Sequence, residues 1–246
     1  MMDMPQYTYQ EITANALVQK QEVIVHDSND IRRQAIKEAA DELGVQTGLA
    51  WGNKQIVQTL NEIGDTLDHI YNFNAIMLPD YVLPPVLQEV TDILNQQKSD
   101  EIYFADKQYH IIAQAQFVTR APTWRDYIMP QKVKIQMPEK IMLPRDDEET
   151  SYWNECVKNA WLEGVEQSQS IFNMGLKRLQ RDYTGMLLYQ QMLMRHMISL
   201  PFVTKSISAL SSSSKDDMTL GNASWHIDTM PAFNADMSKW RTIIDK

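Results

Sequence analysis

The chain has 246 residues, 43% of them hydrophobic, which is enough to bury a sizeable core. Asp and Glu number 32 against 23 Lys and Arg, so the formal net charge is -9 and no basic stripe is available to neutralise a phosphate backbone. The single cysteine, Cys156, cannot form an internal disulfide, and no run reaches the roughly 18–20 apolar residues that a membrane helix needs.

Residues 1–27 have a mixed, unpatterned composition and read as an N-terminal arm, with one edge strand at Val23–Val25. The start, Met1 to Tyr9, shows neither the basic nor the apolar region of a signal peptide. Taken literally the chain is unexported; a leader upstream of Met1 is the alternative. Residues 28–246 read as one α+β domain.

A helix is expected from Ser28, where Ser28, Asn29 and Asp30 offer N-cap chemistry and Ile31, Ala35, Ala39 and Leu43 recur at helical spacing. Ala40, Gly44, Gly48 and Gly52 then fall four apart. The spacing implies either a tight helix crossing or a break near Gly44–Gly48, since each glycine costs a helix about 1 kcal/mol. Ile56, Leu60, Ile63, Leu67 and Ile70 continue as an amphipathic stripe on a core-facing helix.

Tyr71–Leu87 is a rigid apolar connector. Pro79, Pro84 and Pro85 fix φ there, and Tyr71, Phe73, Leu78 and Leu83 need cover. Gln88–Asn95 reads as a further helical turn or two. A β-hairpin follows, with strands Ile102–Phe104 and Tyr109–Thr119 around a turn at Ala105–Lys107; Tyr109, Ile111, Ala113, Ala115 and Phe117 share one face. Arg120–Tyr127 is a second aromatic connector, and residues 130–146, with three prolines, form an extended crossing segment.

Asp146–Glu149 suit a helix N-terminus. A long helix follows, with an interruption expected at Asp182–Gly185 and a stop at Ser199–Pro201. Phe202–Ser208 reads as a strand, Ser211–Asp217 as a solvated loop, and Met218–Thr229 as strand around a turn at Gly221–Asn222. Asn234 caps a last short helix containing Trp240, Ile243 and Ile244. The expected class is α+β, helix-rich, with a β-hairpin near 102–119 and further C-terminal strands packed on long helices.

The residues carry little chemistry. The five histidines have no helical metal-site spacing; His226 and Asp228 share a strand face but are as readily surface residues, so no metal site and no cofactor are expected. Asp146–Glu149 read as a charged helix start rather than a catalytic carboxylate pair. No phosphate loop, dinucleotide fingerprint or nucleophile elbow is present, and Cys156 sits among apolar residues as an inert core thiol. Trp124 with Arg125 is either a core anchor or a partner hot spot.

Several blocks occur in an order and spacing that resemble the DotC family: Gly48–Trp51, Ile70–Phe73, Met77–Pro79, Val82–Leu87, Phe117–Thr119, Pro122–Tyr127 and Gly185–Tyr189. The likeness runs from about Asp30 to Trp240. It implies a non-enzymatic structural subunit of the outer-membrane core complex of a type IVB secretion or conjugation system. It also implies partners of DotD-like and DotH-like type, a periplasmic or outer-membrane-associated location in a Gram-negative cell, and no direct nucleic-acid contact. Family members are typically lipoproteins, and Cys156 is too far into the chain to carry that lipid. The partner-interface or connector candidates are Tyr71, Phe73, Leu78, Pro79, Leu83, Pro84, Pro85, Pro122, Trp124, Arg125 and Tyr127. The alternative function is a periplasmic peptidoglycan-processing enzyme, with Glu148, Glu149 or Asp228 as acid and base.

Overall fold

The computed structural model describes residues 29–98, 101–212 and 218–241. The expected arm at 1–27, the tip of the 211–217 loop and Ile243–Ile244 lie outside the described residues. The class is α+β and helix-rich, as its pattern implies. In chain order the elements are α1 (Asn29–Glu62), α2 (Gly64–Ile70), β1 (Val82–Leu83), β2 (Val86–Lys98), β3 (Glu101–Ala113), β4 (Gln116–Phe117), α3 (Arg125–Ile128), α4 (Asp147–Met194), β5 (Phe202–Ser212) and β6 (Met218–Thr229). Contacts divide the chain into two compact units, one of residues up to Leu67 with Arg125–Lys177, the other of Asp68–Trp124 with residues from Arg178 onward.

In the first unit α1 crosses the first part of α4. Ile36, Ala39, Ala40 and Leu43 bury against Trp153, Cys156 and Val157. The glycine line marks a tight crossing, and α1 runs through it without the alternative break. A Cβ at Gly48 would sit 2.1 Å from the Trp161 carbonyl oxygen, and one at Gly164 would sit 2.3 Å from the Val45 carbonyl oxygen. Close packing of the two backbones offsets the helix cost of glycine. Thr47, fully buried here, returns its hydroxyl proton to the Leu43 carbonyl at 2.7 Å.

The stripe expected over residues 56–70 does not form one buried face. Leu60 is buried and Ile56 and Leu67 are half-buried, but Ile63 and Ile70 are exposed. The helix bends at Ile63 and restarts at Gly64, so the two halves no longer share one helical phase. At the start of α4 the Asp146 carboxylate accepts the Glu149 N–H at 2.8 Å, and Glu149 Oε2 accepts the Arg145 N–H at 2.8 Å. This satisfies amides that the first helical turn leaves orphaned.

In the second unit Leu78, Val82, Leu87 and Ala115 pack with Tyr189, Met192 and Ile198, flanked by Tyr109, Ile111, Val203 and Ile227. Burial pushes the Tyr189 phenol up to about 12, and its hydroxyl donates to the Ser199 carbonyl at 3.1 Å. Leu87 passes α4 where Gly185 leaves room; a Cβ there would meet the Leu87 carbonyl at 2.5 Å. The expected interruption at Asp182–Gly185 is absent, because the small residue serves this approach and Asp182 is paired with Arg181 at 2.7 Å. The helix stops before Ser199–Pro201: His196 turns left-handed (φ 59), its N–H bonds the Leu193 carbonyl and the Met197 N–H bonds that of Met192. That is a Schellman stop with histidine in the usual glycine position.

Among the described residues there are three two-stranded antiparallel sheets, β1 with β4, β2 with β3 and β5 with β6. Gln88–Asn95 is strand, not helix: it lies in β2, and Leu87, Glu89 and Thr91 pair with Ile111, Tyr109 and Lys107. Val86, Val90 and Ile93 happen to fall at helical spacing, but pairing with a strand of alternating apolar residues decides the outcome. The expected turns at Ala105–Lys107 and Gly221–Asn222 are likewise mid-strand, with Ala105 opposite Ile93 and Asn222 opposite Ser208. Polar and glycine residues at those points sit in long ribbons whose partner strands supply the missing hydrogen bonds. Asn234 does not open a helix holding Trp240. Among the described residues there, only the single turn Met237–Lys239 forms, and Asp236 rather than Asn234 accepts the Ser238 N–H, at 3.1 Å.

Candidate docking surface

The sequence-derived candidates are mostly interior. Phe73, Leu78, Leu83, Pro84, Pro85 and Trp124 are buried, Tyr71, Pro122 and Tyr127 half-buried, and Pro79 and Arg125 exposed. Tyr71 and Phe73 both meet the ring of Tyr183 edge-on, at 5.2 and 5.1 Å between centroids. Trp124, 1% exposed, donates its indole N–H to Asp68 Oδ1 at 2.7 Å. It thereby ties the second connector to α2, just ahead of the first. Arg125 and Tyr127 belong to the other unit.

What the second unit turns outward is an aromatic shelf that sequence reasoning did not assemble. Tyr81 stacks on Trp225 with centroids 5.8 Å apart and planes 21° apart, and Phe117 meets the same indole at 6.4 Å. All three remain solvent-exposed, Tyr81 at 62%. Pairing builds the group. Val82 lies opposite Phe117 in the β1–β4 ladder, which the Val118 N–H extends by bonding the Tyr81 carbonyl at 3.0 Å. Lys205 lies opposite Trp225 in the β5–β6 ladder.

Lys205 joins the two halves. Its ammonium sits 5.0 Å over the Trp225 ring and pairs with the Asp80 carboxylate. Such a partly exposed ion pair adds little stability, but it orients both side chains. Asp80 and Tyr81 are both left-handed, at φ 65 and 59. For residues with a Cβ this costs roughly 1–2 kcal/mol each. The turn is held by the Leu78 N–H bonding the Val82 carbonyl at 3.0 Å. The only signal in the chain was Pro79-Asp80-Tyr81 as a turn; the aromatic partners of Tyr81 lie 36 and 144 positions later.

Glu149, a candidate acid in the enzymatic alternative, is held below the usual carboxylate range by the Arg32 guanidinium, which pairs with it through two nitrogens, one at 2.7 Å. A carboxylate so held is a poor proton donor near neutrality. Asp228 lies 3.6 Å from His226 on the open surface of β6. Burial pushes the Cys156 thiol up, away from the thiolate form. Among the described residues no three His, Cys, Asp or Glu side chains converge as metal ligands, and no helix is long and apolar enough to cross a membrane. The shelf can pack and stack against a partner.

No curated protein matches the chain. A family model does, covering residues 30–242: the chain belongs to the T4SS_TraI family, type IV secretory system, conjugal DNA-protein transfer, and is a type IV system component.

Proposed function

We propose that the chain is a non-enzymatic assembly subunit of DotC type, working in the outer-membrane core complex of a type IVB secretion or conjugal transfer system. Its partners are the DotD-like and DotH-like subunits, its location is the periplasmic side of the outer membrane, and it makes no direct contact with transported DNA. The family match over residues 30–242 supports the type IV system part of this reading. The Tyr81, Phe117 and Trp225 shelf supports it by supplying a rigid, exposed aromatic surface of the kind on which interface energy concentrates.

Co-expression with DotD-like and DotH-like subunits, followed by purification through a tag on this chain, tests the reading. Wild type retains at least one of them. Tyr81→Ala with Trp225→Ala weakens that capture roughly thirtyfold, the equivalent of about 2 kcal/mol, while leaving the melting profile nearly unchanged. Failure to retain either subunit, or murein cleavage by the purified chain that Glu149→Gln abolishes, refutes it.

A further inference from the structure

The first unit carries a second surface of different chemistry. Residues 136–143 run along the first half of α1 and are strapped to it at two points. At one end the Gln136 N–H donates to Gln46 Oε1 at 2.7 Å; at the other Arg32 donates to the Ile141 and Leu143 carbonyls at 3.0 and 3.2 Å. Between the straps Ala35 and Ala39 supply the apolar part of the α1 lining of a cavity of about 300 Å³ that is left open. Met137 and Met142 wall it, with Met137 51% exposed. The exposed Ile141 stands beside them on the same segment and lengthens the apolar surface.

The rim is acidic. Glu38 and Glu42, one turn apart on α1, and Glu139 on the segment line the opening. Glu38 and Glu42 accept amide hydrogen bonds from Gln34 and Gln46 at 3.0 Å, and among the described residues no cation pairs with any of the three. Neighbouring cations on α1 are engaged: Arg32 with Glu149, Lys37 with Asp41, and Arg33 over the Tyr152 ring. Lys140 is on the segment but not in the lining.

We propose that this groove docks a basic amphipathic segment of a partner protein. One apolar side chain enters between Met137 and Met142, whose flexible thioethers adapt to its shape, and flanking Lys or Arg side chains lie on the glutamate rim. The negative rim repels phosphate, which turns away nucleic acid and anionic lipid and leaves a cationic peptide as the complementary ligand.

Fluorescence anisotropy with the full chain and a labelled synthetic peptide, a leucine stripe flanked by lysines, tests this against the same peptide with glutamates for lysines. The lysine peptide binds, its affinity falls with salt, and the glutamate peptide does not bind. Glu38→Lys with Glu42→Lys weakens the lysine peptide by at least about tenfold and admits the glutamate peptide. Met137→Glu with Glu139→Lys, placed on the exposed segment, gives the same loss if the helix variant unfolds by circular dichroism. Absence of binding by wild type, equal binding by these variants, or the same loss on changing Tyr81 and Trp225 in the other unit overturns the proposal.

Discussion

Gly48→Ala puts the helix crossing to the test, because two effects of opposite sign meet at one methyl group. Alanine raises helix propensity by about 1 kcal/mol, so on an isolated helix the change is stabilising. In the crossing the new Cβ lies 2.1 Å from the Trp161 carbonyl oxygen, 2.9 Å from its carbon and 3.0 Å from its Cα. These are backbone atoms of α4 and cannot rotate away, so the helices must part until the closest contact reaches ordinary separation. Overpacking of this kind costs about 3 kcal/mol, and the net loss is about 2 kcal/mol. Urea unfolding followed by circular dichroism reads the loss as a lower midpoint at unchanged slope. Gly52→Ala supplies a contrast, since its Cβ would meet the Ser168 Oγ at 2.6 Å, a side chain that can be removed. Ser168→Gly in the same chain makes room, and the pair couples favourably by more than about 0.5 kcal/mol. An alanine at 48 that leaves stability unchanged or raises it refutes the close crossing.

Trp124→Ala leaves a large void around a fully buried indole and removes its hydrogen bond to Asp68, and costs about 3–5 kcal/mol in the same unfolding assay. For the Arg32–Glu149 pair, the folded carboxyl pKa lies below its unfolded value, so the contribution is present above the unfolded pKa and is lost as pH falls through the folded one. Stability therefore declines as pH drops below about 4.5, the ordinary glutamate value, and Glu149→Gln removes that part of the acid dependence while lowering stability at neutral pH.

Much of the architecture follows from local pattern. Asp146 and Glu149 mark the start of α4 because carboxylates near an N-terminus meet orphaned amides, and the four-residue glycine spacing marks a close helix crossing because only there does a missing Cβ repay its entropic cost. The burial of Phe73, Leu83 and Trp124 follows from their size and from the prolines that stiffen their segments. Strand pairing was not legible in the same way. Gln88–Asn95 carries helix-like spacing and Gly221–Asn222 a turn-like dipeptide, yet both are strand, because the ladder bonds that stabilise them come from the facing strand rather than from their own segment. The same reason hid the shelf. Tyr81, Phe117 and Trp225 carry no common motif, and they meet only where the short β1–β4 ladder and the β5–β6 register place them, with Lys205 between. Sequence by itself determined the helical scaffold, the buried connectors and the family likeness; tertiary structure alone decided which aromatics face outward together, since exposure depends on what the rest of the chain leaves uncovered.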